Sequence, residues 1–218
     1  MSPQRVSALV ESAPARALLE RTVAAGGVAA FPADGTYGLA CDPLDAAAIE
    51  RIQRIKGRDD GKPSAVMYFA PLIMRELLGG LGPGCAAVLG KLLPGPFTLV
   101  LPNPERRYPL ACRSTPEALG VRLIDGPLAG ARCPIFQTSA NRSGEPSPAS
   151  AAELDTAIAA AVDLVIDGGR LPGAASSVID LQRLDSDGEW ALLREGAVPA
   201  SEVERKIARV LNPDGSPR

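Results

Sequence analysis

The hydrophobic and polar positions of this chain follow two periods, and the two periods predict strands and helices in turn. Short apolar runs predict strands at residues 28–32, 37–41, 64–69, 97–101, 119–124, 134–138, 163–167, 176–181 and 190–194. Helical spacing predicts helices at residues 15–25, 45–58, 71–78, 84–93 and 151–161, with a last one near Ser201. The elements interleave without a long linker or an internal repeat. This order predicts one mixed α/β domain rather than a regular doubly wound fold.

Sequence signals also predict where helices and the domain begin. Ser150 precedes Glu153 by three residues, a capping box that predicts the start of the helix at 151–161. Ser201 and Glu204 have the same spacing at the last helix. We expect a lead-in over residues 1–14, a domain over 15–211 and a flexible tail over 212–218.

Composition narrows the classes of protein to which the chain can belong. Of its 218 residues, 46% are hydrophobic and 22% are charged, which is typical of a globular protein. No apolar run approaches the ~18 residues of a membrane span, and the N-terminus lacks the order of a signal peptide. We therefore expect a cytoplasmic protein with no membrane contact. The four cysteines form no C-x-x-C pair and are expected to stay reduced.

The chain contains no histidine. This excludes Ser-His-Asp and Cys-His nucleophiles and metal sites with histidine ligands. An enzyme of this composition is expected to stabilise charge rather than to move protons through imidazole. Because the formal net charge is −2, contact with nucleic acid requires a local basic patch.

The stretch GRDDGKPS, residues 57–64, has the glycines and lysine of a phosphate-binding loop but not their spacing. Three residues separate its glycines instead of four, and a proline follows Lys62 where a P-loop has Ser or Thr. Lys56, Arg58 and Lys62 nevertheless lie close together after a helix. Two interpretations stay open: a solvated helix C-terminus, which favours cations, or a cluster that binds polyphosphate oxygens.

The stretch QTSANRSGEPSP, residues 137–148, is a polar loop directly after an apolar strand. Ser139, Asn141 and Ser147 either donate to an anion or satisfy their own backbone in a turn. Two further polar segments adjoin strand ends, with Ser176 in the first and Arg194 in the second. The presence of several such segments in one domain favours a shared pocket that binds an anion over a set of unrelated turns.

Arg122 lies within the apolar strand LGVRLI. A buried arginine requires a partner. Either an internal acidic residue or a bound anion meets this requirement, and the sequence does not distinguish the two.

These segments together resemble the YrdC-like family, the threonylcarbamoyl-AMP synthases. The resemblance extends over roughly residues 15 to 200 and is carried by FPADGTYGLACD, IKGRDDGKPSAV, LLPGPFTLVLPN, LGVRLI, TSANRSGEPSP, ASSVIDL and LLREGAV. It implies a single YrdC-like domain with a twisted, mixed parallel and antiparallel sheet, flanked by helices around a positively charged cavity. We expect the short form of the family, without the extra C-terminal domain of longer relatives.

The resemblance also implies a nucleotidyltransferase that converts L-threonine, bicarbonate and ATP into threonylcarbamoyl-AMP and pyrophosphate. The product serves the threonylcarbamoyladenosine modification of tRNA. The implied partners are therefore the proteins that transfer this group, together with a contact to double-stranded RNA or tRNA.

Motif positions imply a role for ten residues. Those implied to contact ATP are Lys56, Arg58, Lys62, Ser139, Asn141, Ser147 and Arg194, and the first two are also implied to be catalytic. Those implied to bind threonine are Thr36, Arg122 and Ser176. Mg²⁺ is expected to arrive with ATP, because it needs few dedicated protein ligands.

The chain departs from the family's pattern at several positions, and two of these departures, Gly35 and Met67, fall on the threonine side. In the usual P-T-[DE]-T-V-Y-G-L, the second threonine is Gly35 here, and a hydroxyl appears one place later at Thr36. Neighbouring strand residues face opposite sides, which leaves open whether Thr36 serves instead. A frequent substrate-side histidine is Met67. These two departures suggest one alternative, a carbamoyl-adenylating enzyme with a different acceptor. A non-catalytic RNA-binding paralogue of the same fold is a separate alternative.

Overall fold

The computed structural model describes residues 3–57, 62–212 and 215–218. The strands in these residues are β1 (Gln4–Ser7), β2 (Ala29–Ala33), β3 (Thr36–Cys41), β4 (Ala65–Tyr68), β5 (Phe97–Pro102), β6 (Ala118–Leu123), β7 (Ile135–Ser139), β8 (Leu164–Asp167), β9 (Ser177–Asp180) and β10 (Ala191–Arg194). The α-helices are α1 (Ser12–Ala24), α2 (Ala46–Lys56), α3 (Arg75–Leu78), α4 (Pro83–Leu92), α5 (Pro109–Cys112), α6 (Thr156–Ala161), α7 (Leu184–Asp187) and α8 (Ala200–Ala208). Two 3₁₀ turns lie at Pro71–Met74 and Ala151–Glu153.

The described strands form one mixed sheet in the order β1-β8-β2-β3-β7-β4-β6-β5-β9-β10. Strand β8 is parallel to both of its neighbours, and the pairs β4–β6 and β5–β9 are also parallel. The remaining neighbours are antiparallel. This topology confirms the predicted mixed α/β class.

Successive side chains of each strand face opposite sides of the sheet, and the two faces carry different cores. In β3, Tyr37, Leu39 and Cys41 belong to the core that includes residues of α2, α4, α6 and α8. Ala40 belongs instead to a smaller core that includes Leu19 of α1. This smaller core covers part of its face, and a cavity lies beside it.

The helix predicted over 151–161 is interrupted, which corrects that prediction. After the 3₁₀ turn the chain is extended at Leu154, and α6 begins at Thr156. The cap is Asp155, whose carboxylate accepts hydrogen bonds from two backbone nitrogens of the first turn, whereas Ser150 makes no capping bond. Because aspartate is a favourable N-cap, the α-helix begins after Asp155 rather than after Ser150. Glu153 accepts instead from the backbone nitrogen of Ala149 at 2.8 Å.

The last helix also begins differently from the prediction. Helix α8 starts at Ala200 after Pro199, so Ser201 lies within its first turn and does not cap it. A proline just before a helix has a fixed φ that suits this position. The capping-box spacing at Ser201 is therefore coincidental.

Both ends of the described chain belong to the fold. The predicted lead-in contributes β1, which pairs with β8. At the other end, Leu211 bridges to Pro217, and the backbone nitrogen of Arg218 donates to the carbonyl oxygen of Val210 at 2.8 Å. The described residues of the predicted flexible tail thus fold back onto the end of α8.

The four cysteines are free thiols, in agreement with the sequence. Cys41, Cys85 and Cys112 are buried and Cys133 is half-buried. Burial raises the pKa of Cys133 to about 11. Among the described residues, every helix is too short or too polar to cross a bilayer.

Candidate active-site cavity

A cavity of about 470 Å³ opens on the sheet face that also carries the α1 core. Alternate residues of the central strands form its floor, among them Ala65, Thr98, Val100, Gly120, Gln137 and Val178. Most of these side chains are small, so the middle of this face is hollow where the opposite face is filled by larger aliphatic residues. Strand alternation and residue size together create the cavity.

Seven of the ten predicted site residues line this cavity. They are Thr36, Lys62, Arg122, Ser139, Ser147, Ser176 and Arg194. Of the other three, Lys56 and Asn141 lie outside the described lining, and Arg58 lies outside the described residues. The described lining contains three cationic side chains and no carboxylate.

Arg122 is only 5% exposed, and its guanidinium forms part of the cavity wall. Its Nη2 lies 2.8 Å from Oδ2 of Asp34, and its Nη1 donates to the side-chain oxygen of Gln137 at 3.2 Å. Its Nε is buried without a hydrogen-bond acceptor among the described residues. Of the two partners that the sequence left open for Arg122, the structure therefore provides the internal acidic residue.

Asp34 is the partner of Arg122 that the sequence did not identify. A partner for Arg122 was expected, but sequence spacing does not identify one that lies 88 residues away. Burial disfavours both charges: it raises the pKa of Asp34 and lowers the pKa of Arg122, while the ion pair between them opposes both shifts. Because arginine stays protonated in proteins, Asp34 offsets a charge that would otherwise be buried alone.

Asp34 and Gly35 form the turn between β2 and β3, with Ala33 paired to Thr36. Asp34 has a left-handed φ of 62°. Directly paired residues of an antiparallel ladder face the same side, so both Ala33 and Thr36 line the cavity. The Thr36 hydroxyl thus belongs to a residue of the cavity wall, although its side chain occupies a different position from the family's usual threonine.

Met67, which stands where the family often has a substrate-side histidine, is not among the described residues that line the cavity. It is fully buried in the α1 core, together with Phe31 and Phe69. In the sheet it pairs with Arg122 of β6. Met67 therefore packs beside Arg122 on the same face of the sheet, within the α1 core.

Lys56 is a buried lysine at the end of α2, 3% exposed. Its Nζ donates to the carbonyl oxygens of Ser139 and Asn141, the latter at 2.8 Å. The Ser139 hydroxyl in turn bonds to the side-chain oxygen of Asn141, whose amide donates to the carbonyl oxygen of Glu145. Lys56 and Asn141 therefore hold the loop after β7 in place, with Ser139 facing the cavity.

Ser176 and Arg194 are in direct contact, although they were predicted on different sides of the site. Arg194 donates to the carbonyl oxygen of Ser176 at 2.8 Å and to its hydroxyl at 3.2 Å. The same hydroxyl lies 2.9 Å from that of Thr98, a further lining residue. The predicted nucleotide and amino-acid subsites thus share one wall.

No group of three or more Cys, Asp or Glu residues within 3–57, 62–212 and 215–218 could hold a metal ion. The donors of the cavity wall are hydroxyls, amides and cations. This donor set suits a phosphate chain, and the expected Mg²⁺ stays a prediction.

The sequence and the fold agree with a known family. Residues 21–196 match the Sua5/YciO/YrdC domain family, which is described by the words telomere recombination. This match covers most of the chain. The chain belongs to the Sua5/YciO/YrdC family.

Individual relatives agree with this membership. The chain is 34% identical over 197 residues to threonylcarbamoyl-AMP synthase from Pyrococcus abyssi, covering 85% of this chain and 55% of that protein. It is 36% identical over 160 residues to threonylcarbamoyl-AMP synthase from Xanthomonas axonopodis pv. citri, covering 69% of this chain and 85% of that protein. It thus spans about half of the first relative and most of the second.

Solved structures support the same relationship. The crystal structure of P. abyssi Sua5 complexed with L-threonine superimposes with a TM-score of 0.80 at 32% identity, covering 95% of this chain and 61% of that chain. The crystal structure of E. coli YciO superimposes with a TM-score of 0.73 at 25% identity, covering 90% of this chain and 97% of that chain. The family fold is therefore present over nearly the whole described chain.

Proposed function

We propose that this protein is a threonylcarbamoyl-AMP synthase, which forms threonylcarbamoyl-AMP and pyrophosphate from L-threonine, bicarbonate and ATP. The observation that carries the proposal is the convergence of Lys62, Arg122 and Arg194, from distant parts of the chain, on one cavity. Its volume of about 470 Å³ lies within the range of ~300–1,000 Å³ typical of ligand pockets. The relatives of that name in P. abyssi and X. axonopodis support the same reaction.

Within this proposal, the two substrates meet along the shared wall of Ser176 and Arg194. The threonine carboxylate binds at the guanidinium of Arg122, which lines the cavity together with Thr36. The crystallised complex of P. abyssi Sua5 with L-threonine supports an amino-acid subsite in this fold. ATP occupies the remainder of the cavity, near Lys62 and Ser139. The predicted contact of Arg58 with phosphate stays a prediction, because Arg58 lies outside the described residues.

The chemistry requires positioning more than proton transfer. The threonine amino group combines with bicarbonate to give a carbamate and water. A carbamate oxygen then attacks the α-phosphorus of ATP and pyrophosphate leaves. Alignment of the reactants and neutralisation of phosphate charge contribute most to such a transfer, and neither requires histidine. Mg²⁺, held by the phosphates of the nucleotide rather than by carboxylates of the described cavity wall, would neutralise part of the phosphate charge. Proteins that transfer the threonylcarbamoyl group to tRNA use the product.

The test is pyrophosphate release by the purified chain with substrates omitted one at a time. We expect release only when ATP, threonine and bicarbonate are all present, and a nucleotide product with the mass of threonylcarbamoyl-AMP. Release that continues at the same rate without threonine contradicts the proposal. Arg122→Gln is expected to raise the KM for threonine more than the KM for ATP.

One observation favours a second candidate, the same adenylylation with a different amino-acid acceptor. Gly35 and Met67 replace two substrate-side residues of the family pattern, and the carbonyl oxygen of Ala174 occupies the space beside Gly35. Product analysis with each common amino acid in turn distinguishes the two candidates. A carbamoyl-adenylate formed faster from another amino acid than from threonine supports the second.

A further inference from the structure

Gln137 is a long polar side chain on a cavity floor of mostly small residues, and it is not one of the residues to which the motifs gave a role. It lies on β7, paired with Ala40 of β3 and Ala65 of β4, and is only 9% exposed. Directly paired residues of an antiparallel ladder face the same side, so two alanines flank its long side chain on the cavity face. A buried polar group of this kind requires hydrogen-bond partners.

The orientation of the Gln137 carboxamide follows from its contact with Arg122. Nη1 of Arg122 lies 3.2 Å from Oε1 of Gln137. A guanidinium donates hydrogen bonds and accepts none, so the atom that faces it must be the amide oxygen. The amide nitrogen, Nε2, lies instead beside Gly38 of β3, 3.0 Å from the position that a Cβ atom on this glycine would occupy. The absence of a side chain at Gly38 thus leaves the space that the amide nitrogen occupies.

Nε2 of Gln137 donates to no acceptor within residues 3–57, 62–212 and 215–218. It is nevertheless reachable from the cavity, because in the described part of the chain only Nε of Arg122 is both sealed by its neighbours and without a partner. The hydroxyl of Thr36, on the same face two residues before Gly38, also has no hydrogen-bond partner among these residues, and Thr36 is 8% exposed. Two unpaired polar groups therefore face the same part of the cavity.

These two groups suit a hydroxyl better than they suit an anion. Anionic parts of the substrates are met by the cationic side chains of the wall, Lys62, Arg122 and Arg194. Gln137 and Thr36 are neutral: the amide nitrogen donates, and the threonine hydroxyl can donate or accept. A substrate hydroxyl, which accepts one hydrogen bond and donates another, satisfies both groups at once.

Gln137 also lies near one of the departures from the family pattern. Met67 stands where a substrate-side histidine is frequent, and its partner on β7 is Ile135. Gln137 follows Ile135 by two residues on the same face, a separation of about 7 Å. The polar group that is absent at Met67 is therefore replaced by one on the neighbouring strand.

We propose that Gln137 determines the specificity for the amino-acid substrate by donating a hydrogen bond from Nε2 to the side-chain hydroxyl of threonine. Thr36 accepts the hydrogen of that hydroxyl. The inference rests on the proposed function, in which the threonine carboxylate binds at Arg122, the residue that orients Gln137. A site built to hydrogen-bond a substrate hydroxyl rejects an analogue that lacks it, because its own polar groups are then left unpaired.

The experiment compares threonine with 2-aminobutyrate, which has a hydrogen atom in place of the hydroxyl. The kcat/KM of pyrophosphate release is measured for both amino acids with the full chain, and calorimetric titration measures the affinity for each without turnover. The ratio between the two amino acids is compared, because loss of the acceptor for Arg122 affects both alike.

The variants are Gln137→Met, which keeps the length of the side chain, and Gln137→Ala, which matches the alanines on either side. Both remove the amide donor. The matched control is Gln53→Met, because Gln53 is half-buried on α2 and lies outside the described lining of the cavity.

We expect the wild type to favour threonine over 2-aminobutyrate by about tenfold or more. Both Gln137 variants are expected to lower this preference by about three- to tenfold, which corresponds to one hydrogen bond. The preference of Gln53→Met is expected to equal that of the wild type.

Equal affinity and equal kcat/KM for the two amino acids in the wild type overturn the inference without any variant. A preference for threonine that persists in the Gln137 variants also overturns it, because the glutamine would then act only on Arg122. The proposed function fails separately: a chain that forms no carbamoyl-adenylate, but whose preference in binding falls in the variants, retains the hydroxyl subsite without the synthesis.

Discussion

The carbonyl oxygen of Ala174 lies 1.8 Å from the position that a Cβ atom on Gly35 would occupy. The backbone nitrogen of Gly173 also donates to the carbonyl oxygen of Gly35 at 2.7 Å. The segment before β9 is therefore in direct contact with the turn between β2 and β3. The left-handed φ in that turn belongs to Asp34 and not to Gly35. Close approach of the backbone, rather than backbone conformation, requires the glycine.

We expect Gly35→Ala to lower the free energy of unfolding by about 1–3 kcal/mol, the usual cost of overpacking. Gly90→Ala is the control, because no atom lies within 4 Å of its added Cβ on the exposed side of α4. That variant is expected to be more stable by up to about 1 kcal/mol, from helix propensity. Guanidinium denaturation measures both. Equal stability of Gly35→Ala and the wild type would show that the segment at Ala174 moves away readily.

The same contact shows what the sequence could predict and what it could not. The family pattern identified Gly35 as a departure, but the carbonyl oxygen that fills its space belongs to Ala174, 139 positions later. Likewise, an arginine in an apolar strand predicted a partner for Arg122, and only the fold identifies Asp34 as that partner. The local sequence therefore predicts that a residue needs an unusual neighbour, and only the tertiary structure identifies that neighbour.

The strands were predictable because hydrophobic residues form short runs where the sheet is buried. Nine of the described strands lie at the positions that these apolar runs predicted. The exception is β1, a four-residue edge strand with an exposed and half-buried pattern that gives no apolar run. Helix starts were less predictable, because Asp155 and Ser150 both offer caps and only packing selects one. Lys56 was identified as a site residue, but its burial beneath Ser139 depends on how α2 meets the loop after β7.

Two adjacent serines provide a test of which side chains serve the cavity and which serve the fold. Ser177 is fully buried; its hydroxyl donates to Val198 at 2.7 Å and accepts from the backbone nitrogens of Val198 and Gly196. Ser177→Ala leaves these groups unsatisfied and is expected to lower the free energy of unfolding by about 1–3 kcal/mol.

Ser176→Ala is the matched substitution on the cavity side, where the hydroxyl contacts Thr98 and Arg194. We expect Ser176→Ala to lower the free energy of unfolding by no more than about 1 kcal/mol. We also expect it to raise the KM for threonine severalfold. Thermal unfolding and steady-state kinetics separate the two effects. Greater destabilisation by Ser176→Ala than by Ser177→Ala would contradict this assignment.

We expect Lys56 to support the cavity indirectly, by holding the loop after β7 in position. Lys56→Met removes the donor that serves the carbonyl oxygens of Ser139 and Asn141. Unsatisfied buried acceptors cost about 1–3 kcal/mol each, so Tm should fall and amide hydrogen exchange of residues 139–145 should accelerate. Lys91→Met, at an exposed position near the end of α4, is the control. Unchanged Tm and exchange with weaker ATP binding would instead favour direct contact between Lys56 and phosphate.

The Arg51–Asp163 ion pair predicts a pH-dependent contribution to stability. The Asp163 carboxylate accepts from Arg51 at 2.6 and 3.0 Å and from the backbone nitrogen of Val28 at 2.8 Å. Burial alone raises the pKa of Asp163, but these donors outweigh it and lower the pKa below its ordinary value of 3.8. A carboxyl with a lowered pKa in the folded state stabilises the protein above its unfolded pKa, and this stabilisation is lost as the pH falls through the folded pKa.

We therefore expect Asp163→Asn to lower the free energy of unfolding by about 0.5–1 kcal/mol at pH 7, the range for a partly exposed pair. The difference from the wild type should shrink as the pH falls below about 3.9, where unfolded aspartate gains its proton. Urea denaturation between pH 7 and pH 2 measures it. Glu204→Gln, at an exposed position on α8, should show no such trend. A difference between Asp163→Asn and the wild type that stays constant over this range would assign the effect to hydrogen-bond geometry rather than to charge.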